Sequence, residues 1–295
     1  MRYLIDPEFR PRKTTGLLKP TGRHAAQLRS ELSQRNRVWA LAHSYAHENS
    51  LGGVPAVLYR EDDRGEHGNF LPTSYRCIQR TPEWARRLTK VHTSAKRALL
   101  SRDPNRRELD SSNSSDALLM NIFCNPEALA AAPLHQLLSV DPGAKPVFGY
   151  RPRTLLRTGR QDATEIDMRL GDLLIEAKLT EYDFQSSPRR LIERYRDLEE
   201  VFNADQLETC DGRVQSYQLI RGVLAAHACP GLRFCVLCDG RRPDLIARWH
   251  RLLTEVKLYD LRCRLLVLTW QELAAALPDS MQIFLEQKFG ICAAH

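Results

Sequence analysis

The spacing of apolar positions predicts a mostly helical front region. Leu28, Leu32 and Leu41 have helical spacing and predict a helix over about residues 23–49. A second helix is predicted over 81–100. Thr81 is a suitable N-cap, a proline follows at the first helical position, and an apolar stripe runs along the segment. Polar loops are expected between these helices.

Beyond residue 108, helical and strand patterns alternate along the chain. This order is typical of an α/β fold with a mixed sheet flanked by helices. The predicted helices span 116–123, 126–138, 188–202, 214–228, 243–256 and 270–277. The predicted strands span 146–150, 232–238 and 263–269, together with a strand hairpin over 164–179.

The hairpin has a period of two on both sides of the pair Gly171-Asp172. Glycine accepts positive φ, so this pair is suited to a two-residue turn, and the turn sets the register of the two strands. One face of the hairpin is then apolar throughout: Ile166, Met168, Leu170, Leu173, Ile175, Ala177 and Leu179. The opposite face carries the charged side chains Glu165, Asp167, Arg169, Glu176 and Lys178.

In this register Asp167 lies directly opposite Glu176. Their Cβ atoms would be about 4.5–5.5 Å apart, where like charges destabilise a sheet. A divalent cation such as Mg²⁺ takes one or two carboxylates and keeps several waters, so it suits this pair. Lys178 would then orient or activate a water at the same site. The alternative is a solvated face that needs no metal, with Glu165 paired to Lys178 and Arg169 near Asp167.

Asp167, followed after a short hairpin by Glu176-Ala-Lys178, resembles the PD-(D/E)xK nuclease superfamily, which has the restriction-endonuclease-like fold. The resemblance covers about residues 116–270. It implies that Asp167 and Glu176 bind Mg²⁺ or Mn²⁺ and that Lys178 assists the attacking water. Ile166 stands where the motif's name has proline, a variation that the superfamily tolerates.

The resemblance also implies accessory residues. Several members carry a glutamine on the helix after the third strand, and Gln218 is the preferred match here. Some members add an acid from the first core helix, which makes Asp116 a candidate, although a first-turn acid is equally explained by the helix dipole. Glu165 is a further accessory candidate. The phrases at 114–121 and 174–181 look most like uncharacterised prokaryotic members of the superfamily.

The charge of the chain is unevenly distributed. The net charge is +7, but residues 1–107 hold 21 basic and 10 acidic side chains, whereas 108–295 hold 22 and 26. We therefore expect a basic, mostly helical clamp for nucleic acid over 1–107 and a nuclease core over 108–295. Phosphate neutralisation by the clamp would give an affinity that falls with salt. The candidate nucleic-acid-binding residues are Arg86, Arg87, Lys90, Lys96 and Arg97.

Membrane insertion and secretion are not expected. No apolar run approaches the roughly 20 residues that span a bilayer. Asp6 and Pro7 interrupt the stretch that a signal peptide would need to keep apolar. These features favour a cytoplasmic protein.

Two further pairs of side chains have ligand-like spacing. His43 and His47 are four residues apart on a predicted helix, but Ser44 stands where the zinc-protease pattern requires glutamate. Cys235 and Cys238 lie in an apolar run, which favours buried thiols over a metal or redox site.

The leading hypothesis is a metal-dependent endonuclease that hydrolyses phosphodiester bonds, with DNA as the expected substrate. One alternative is a nucleic-acid-binding protein on the same fold without catalysis. Another is an interaction module that uses the basic front region on an acidic partner. A homodimer is expected for the enzyme, because cutting two strands commonly requires two active sites.

Overall fold

A five-stranded mixed sheet forms the centre of the fold. The computed structural model describes residues 20–50, 55–91 and 107–294. Within them, the helices are α1 (Pro20–Ala42), α2 (Pro72–Arg80), α3 (Pro82–Leu88), α4 (Ser115–Phe123), α5 (Pro126–Ala130), α6 (Ala132–Leu138), α7 (Arg189–Ile192), α8 (Leu198–Val201), α9 (Tyr217–Ala228), α10 (Pro243–Thr254), α11 (Tyr259–Arg262), α12 (Trp270–Ala275) and α13 (Asp279–Phe289). The strands are β1 (His47–Asn49), β2 (Val57–Tyr59), β3 (Pro146–Tyr150), β4 (Ile166–Leu170), β5 (Leu173–Ala177), β6 (Ser187–Pro188), β7 (Thr209–Cys210), β8 (Arg213–Val214), β9 (Arg233–Cys238) and β10 (Leu265–Thr269). Short 3₁₀ helices span Glu108–Asp110 and Ala204–Gln206.

The strand order in the central sheet is β10-β9-β5-β4-β3. Strands β5, β9 and β10 are parallel, whereas β3, β4 and β5 form an antiparallel meander. All five residues of β5 are buried, because this strand has a neighbour on each side and apolar clusters on both faces. Helices cover both faces, so the predicted mixed α/β sheet flanked by helices is confirmed.

Each face of the sheet has its own apolar cluster. One cluster joins Met168 and Ile175 to side chains from α1, α4, α12 and α13. The other joins Leu174 and Phe234 to side chains from α8, α9 and α10. Because a strand points alternate side chains to opposite faces, the period-two pattern of the hairpin divides between these clusters.

The predicted hairpin register is confirmed for the three pairs next to the turn. Leu170 pairs with Leu173, and the ladder continues through Arg169–Leu174 to Met168–Ile175. Gly171 has φ of 58°, as the two-residue turn requires.

One member of the predicted apolar face is assigned wrongly, because Ile166 packs into the opposite cluster from Met168. The neighbouring strand changes sides in the same way. Phe148 contacts the Met168 cluster, whereas Tyr150 contacts the cluster of Ile166. Gly149 lies between these two aromatic residues with φ of 63°, and such a backbone conformation interrupts the regular alternation.

The front region is less helical than predicted. α1 ends at Ala42 rather than near residue 49, and the chain continues into a β1–β2 hairpin that the sequence pattern did not indicate. The predicted helix over 81–100 ends at Leu88. Its remainder beyond residue 91 lies outside the described residues.

Two predicted helices of the core are divided. The helix over 126–138 breaks at Ala131, because Pro133 has no N–H for the carbonyl of Leu129, and the His135 ring approaches that carbonyl at 2.6 Å instead. The helix over 188–202 is two single-turn helices, α7 and α8. The C-terminal helix α13 was not predicted.

The front region shares the core of the central sheet. Leu28 and Leu32 of α1 belong to the same buried cluster as Leu285 and Phe289 of α13. The boundary between residues 107 and 108 stays a prediction. Among the helices that the structure describes, none combines the length and apolar character needed to cross a membrane.

Candidate active site

Two charged side chains lie in the interior of the sheet. Glu176 and Lys178 are only 1% and 4% exposed, because β5 is central and its end is covered by neighbouring elements. Lys178 Nζ donates a hydrogen bond of 2.6 Å to Glu176 Oε1. Burying an ion costs several kcal/mol, which a paired ion offsets only in part. A solvated charge ladder is therefore the wrong description of this face.

The pairs that the solvated alternative required are also not formed. Glu165 accepts hydrogen bonds from Arg87 at 3.2 Å and from Arg151 at 2.9 Å, and not from Lys178. Arg169 donates to the carbonyl of Gly171 and to the hydroxyl of Tyr150.

Asp167 lies where β4 and β5 separate. The ladder of paired residues ends at Met168–Ile175. Asp167 Oδ2 accepts a hydrogen bond of 2.8 Å from the backbone N–H of Ala177. Burial raises the pKa of Asp167 well above its ordinary value, and the negative charge of Glu176 raises it further. The charges of Asp167 and Glu176 therefore interact, although the predicted direct pairing of these two residues is not part of the ladder.

Gln218 joins the same site from the first turn of α9. Its Nε2 donates a hydrogen bond of 2.5 Å to Glu176 Oε1. Gly222 lets this helix approach the sheet, since any Cβ at that position would collide with the ring of Phe234. The glutamine preferred from the sequence therefore contacts the acid of the Glu-x-Lys triplet.

The charges around Lys178 decide its protonation. Burial alone would lower the pKa of Lys178, but nearby carboxylates outweigh burial and raise that pKa. These carboxylates belong to Glu176, Asp167 and Glu181. Lys178 is therefore a hydrogen-bond donor and a fixed positive charge at neutral pH.

Two residues near Lys178, Glu181 and Trp270, make contacts that were not predicted from the sequence. Glu181 accepts hydrogen bonds from the backbone N–H of Leu179 at 2.6 Å and from the hydroxyl of Ser115 at 2.5 Å. The indole of Trp270 donates to the carbonyl of Lys178 at 2.9 Å. Glu181 lies within the phrase at 174–181 that carried the family resemblance, but the position of Trp270 had no local signal.

The donor set suits a hard divalent cation. Within the described residues, Asp167 Oδ1 and Glu176 Oε2 accept no hydrogen bond, so each carboxylate keeps one oxygen for a ligand role. No group of three or more His, Cys, Asp or Glu side chains with metal-ligand spacing occurs in that part of the chain. Two carboxylates with bound waters are sufficient for Mg²⁺, and a cation would relieve their repulsion.

Asp116 is held beside this site by a side chain from α3. Arg87 donates to Asp116 Oδ2 at 2.5 Å and to Glu165 Oε2 at 3.2 Å, so it bridges both accessory acids. The charge of Asp116 contributes to the raised pKa of Asp167. A Cβ at Gly149 would collide with the guanidinium of Arg87, so this bridge requires glycine at that position.

The candidate nucleic-acid-binding residues divide into three groups. Arg86 is exposed. Arg87 and Lys90 turn inward; Lys90 Nζ lies 2.8 Å from Glu108 and 3.5 Å from Asp116. Lys96 and Arg97 lie outside the described residues.

The other two candidate pairs do not form ligand sites in the structure. His43 follows the end of α1 and His47 lies on β1, so the predicted helical i, i+4 pair is wrong. Cys235 and Cys238 are buried on β9, and burial raises the pKa of each thiol to about 12. These cysteines are protonated thiols within the apolar clusters.

The five-stranded mixed sheet flanked by helices has the architecture of the restriction-endonuclease-like fold. The chain belongs to the family described as restriction endonuclease associating with ARP, whose model matches residues 39–290. Comparison with curated proteins and with solved structures gives no match.

Proposed function

We propose that this protein is a metal-dependent nuclease that hydrolyses phosphodiester bonds in DNA. The observation that carries the proposal is the convergence of Lys178 and Gln218 on one oxygen of Glu176, with Asp167 beside them. Burying such a set without a function is costly, and perturbed titratable groups concentrate at functional sites. Membership of a restriction-endonuclease family supports the same activity and DNA as its substrate.

Asp167 and Glu176 would hold Mg²⁺ or Mn²⁺ through their remaining oxygens. The bound ion would supply Lewis acidity toward the phosphoryl oxygen and lower the pKa of a bound water. Lys178, which keeps its proton, would donate a hydrogen bond to the attacking water and offset the negative charge that develops on the phosphate. Gln218 would hold Glu176 in position through its amide.

The test is cleavage of supercoiled plasmid by the full chain in Mg²⁺ or Mn²⁺. Asp167→Asn and Lys178→Ala should each lower the cleavage rate by about 100-fold or more. Asp172→Asn is the matched control, because it makes the same change on the same hairpin at the opposite edge of the sheet. It should cleave at the rate of the unsubstituted protein, and chelator should abolish cleavage by both.

Two results would contradict the proposal. Cleavage that persists in both Asp167→Asn and Lys178→Ala would show that the site is assigned wrongly. A folded protein that binds DNA in a salt-sensitive manner, yet does not cleave it with either metal, would be a nucleic-acid-binding protein without catalysis.

Assembly is a separate part of the proposal. The family description names association with ARP, and we extend that association to this chain. A tagged full chain co-expressed with ARP should co-purify with it. Cutting both strands at one place would further require two active sites, so sedimentation with DNA should detect two copies of the chain.

A further inference from the structure

Exposed arginines are concentrated at the edge of the sheet that carries the candidate site. Segments 151–163 and 189–197 contain eight arginines and three acidic residues. Seven of these arginines are exposed, and we call them the arginine surface: Arg151, Arg153, Arg157, Arg160, Arg190, Arg194 and Arg196. The sequence pattern did not indicate this surface.

Backbone hydrogen bonds bring the two segments together. The N–H of Arg157 donates to the carbonyl of Arg194 at 2.8 Å, and the N–H of Arg196 donates to the carbonyl of Leu155 at 3.2 Å. Leu156 and Tyr195 pair across the same contact and are both buried. The arginines therefore lie on two segments that are held together by backbone hydrogen bonds and by the buried pair Leu156 and Tyr195.

A buried polar network anchors the first segment further. Asp162 accepts a hydrogen bond of 2.7 Å from the hydroxyl of Tyr195, and Arg221 lies 3.6 Å from the same carboxylate. Arg153 has φ of 57°, a conformation that a non-glycine residue adopts at an energetic cost. Such a conformation persists only where the surrounding contacts hold the backbone in place.

The topology places this surface beside the candidate active site. Segment 151–163 connects the end of β3 to the start of β4, which is the edge where β5 ends with Glu176 and Ala177. Arg151 donates to Glu165, two residues before Asp167, at 2.9 Å. The opposite edge carries the Gly171 turn and the starts of β9 and β10.

Four arginines of the arginine surface have side chains that are available to bind a ligand. In the part of the chain that the structure describes, Arg153, Arg160, Arg190 and Arg194 have no side-chain hydrogen bond or ion pair. The candidate site places the carboxylates of Asp167 and Glu176 together with Lys178 as the cation that contacts them, and a phosphodiester backbone must approach these carboxylates. A rim of unpaired positive charge is what a polyanion requires to approach such a site.

We infer that the arginine surface binds the phosphodiester backbone of duplex DNA and guides it to the candidate active site. The inference rests on the proposed function for its substrate class. It adds segments 151–163 and 189–197 to the backbone-binding residues predicted after Thr81, of which Arg87 and Lys90 are paired with acids. Binding of this kind neutralises phosphates, and it therefore weakens as salt rises.

The test measures binding separately from cleavage. The full chain is titrated against a fluorescent 30-base-pair duplex of mixed sequence, in EDTA, over a range of NaCl concentrations. The variant Arg160→Gln/Arg194→Gln removes two unpaired charges from the surface. Lys145→Gln/Arg262→Gln is the matched control, because it removes two exposed charges from the opposite edge.

The surface variant should bind more weakly, and its slope of log affinity against log salt should be smaller by about 1.8. The control should match the unsubstituted protein in slope, and thermal unfolding should show that both variants are folded. Equal binding by the two variants would overturn the inference, and plasmid cleavage by the unsubstituted chain would show that the proposed function still stands. A chain that does not bind the duplex even at low salt would also overturn the inference.

Discussion

Arg87 and Lys90, two of the basic residues after Thr81, and the unpaired arginines of the arginine surface carry the same charge in opposite surroundings. Arg87 and Lys90 are paired with Asp116, Glu165 and Glu108. Arg153 and Arg160 are exposed and make no side-chain pair with any described residue. The first group was the more conspicuous in the sequence, yet the second has more charge available for a ligand.

The difference shows what a count of charges along the chain leaves out. A basic helix is expected to attract phosphate only if its charges stay unpaired. Acids from α4 and from the residue before β4 reach Arg87 across 29 and 78 residues of sequence. Pairing at that separation depends on the tertiary structure, and it converts a basic cluster into internal support for the candidate site.

The largest effect that we expect from this comparison is on stability. Arg87→Ala should lower the free energy of unfolding by about 3 kcal/mol, because it leaves Asp116 and Glu165 without their shared partner. Arg86→Ala, the exposed neighbour, should change it by less than about 0.5 kcal/mol. Urea denaturation of the full chain measures both values. Equal and small effects would mean that Arg87 is not a structural bridge.

A second substitution, at Gly149, tests the ion-pair bridge that Arg87 forms. Gly149→Ala should destabilise the protein by about 2 kcal/mol, because Gly149 has φ of 63° and a Cβ there would displace the guanidinium of Arg87. Gly159 also has positive φ, but a Cβ there meets no other atom within 4 Å, so Gly159→Ala separates backbone strain from the collision. If both variants lose the same free energy, the contact with Arg87 contributes nothing.

The third prediction concerns DNA binding and its salt dependence. Arg153→Gln should reduce the slope of log affinity against log salt by about 0.9, whereas Lys90→Gln should leave it nearly unchanged. The reason is that Lys90 is already neutralised by Glu108 and Asp116. Fluorescence anisotropy in EDTA gives the two slopes. A larger change of slope for Lys90→Gln than for Arg153→Gln would indicate that DNA binds to the front region instead.

The smallest expected effect is a pH dependence of stability. Burial would raise the pKa of Asp162, but hydrogen bonds from Thr164 and Tyr195 outweigh burial and lower it. A carboxylate with a lowered pKa stabilises the fold above its unfolded value and loses that contribution as the pH falls through its folded value.

Between pH 7 and pH 3.5 the free energy of unfolding should therefore fall by about 0.5 kcal/mol less in Asp162→Asn than in the unsubstituted protein. Urea denaturation at pH 7 and at pH 3.5 compares the two proteins. Identical acid dependence would show that Asp162 does not stabilise segment 151–163 through its charge.

Local patterns were sufficient for much of the central sheet. The period-two alternation and the turn at Gly171 predicted the pairs from Leu170–Leu173 to Met168–Ile175, because register follows from turn geometry over a few residues. The same reasoning failed at Ile166, where the positive φ of Gly149 on the neighbouring strand accompanies a change of face. It also failed for the β1–β2 hairpin, since His47–Asn49 has no alternating apolar pattern.

The candidate site divides in the same way. The spacing of Asp167, Glu176 and Lys178 could be recognised in the sequence because all three residues belong to one hairpin segment. Gln218 was reached only through the family resemblance, as no local feature distinguishes it from the neighbouring Gln215. The contacts of Arg87, Glu181 and Trp270 had no signal, because each joins segments that are distant in sequence.

The sequence alone determined the mixed α/β fold class through the order of its helical and strand patterns. It determined the hairpin turn, and brought together the candidate residues Asp167, Glu176 and Lys178, through periodicity and spacing within about 15 residues. The tertiary structure decided which charges are buried, which are paired and which remain exposed at the edge where β5 ends. These properties depend on distances between segments such as 82–88, 115–123 and 151–163. Electrostatic interaction and desolvation follow distance in space, so they become definite only when the chain is folded.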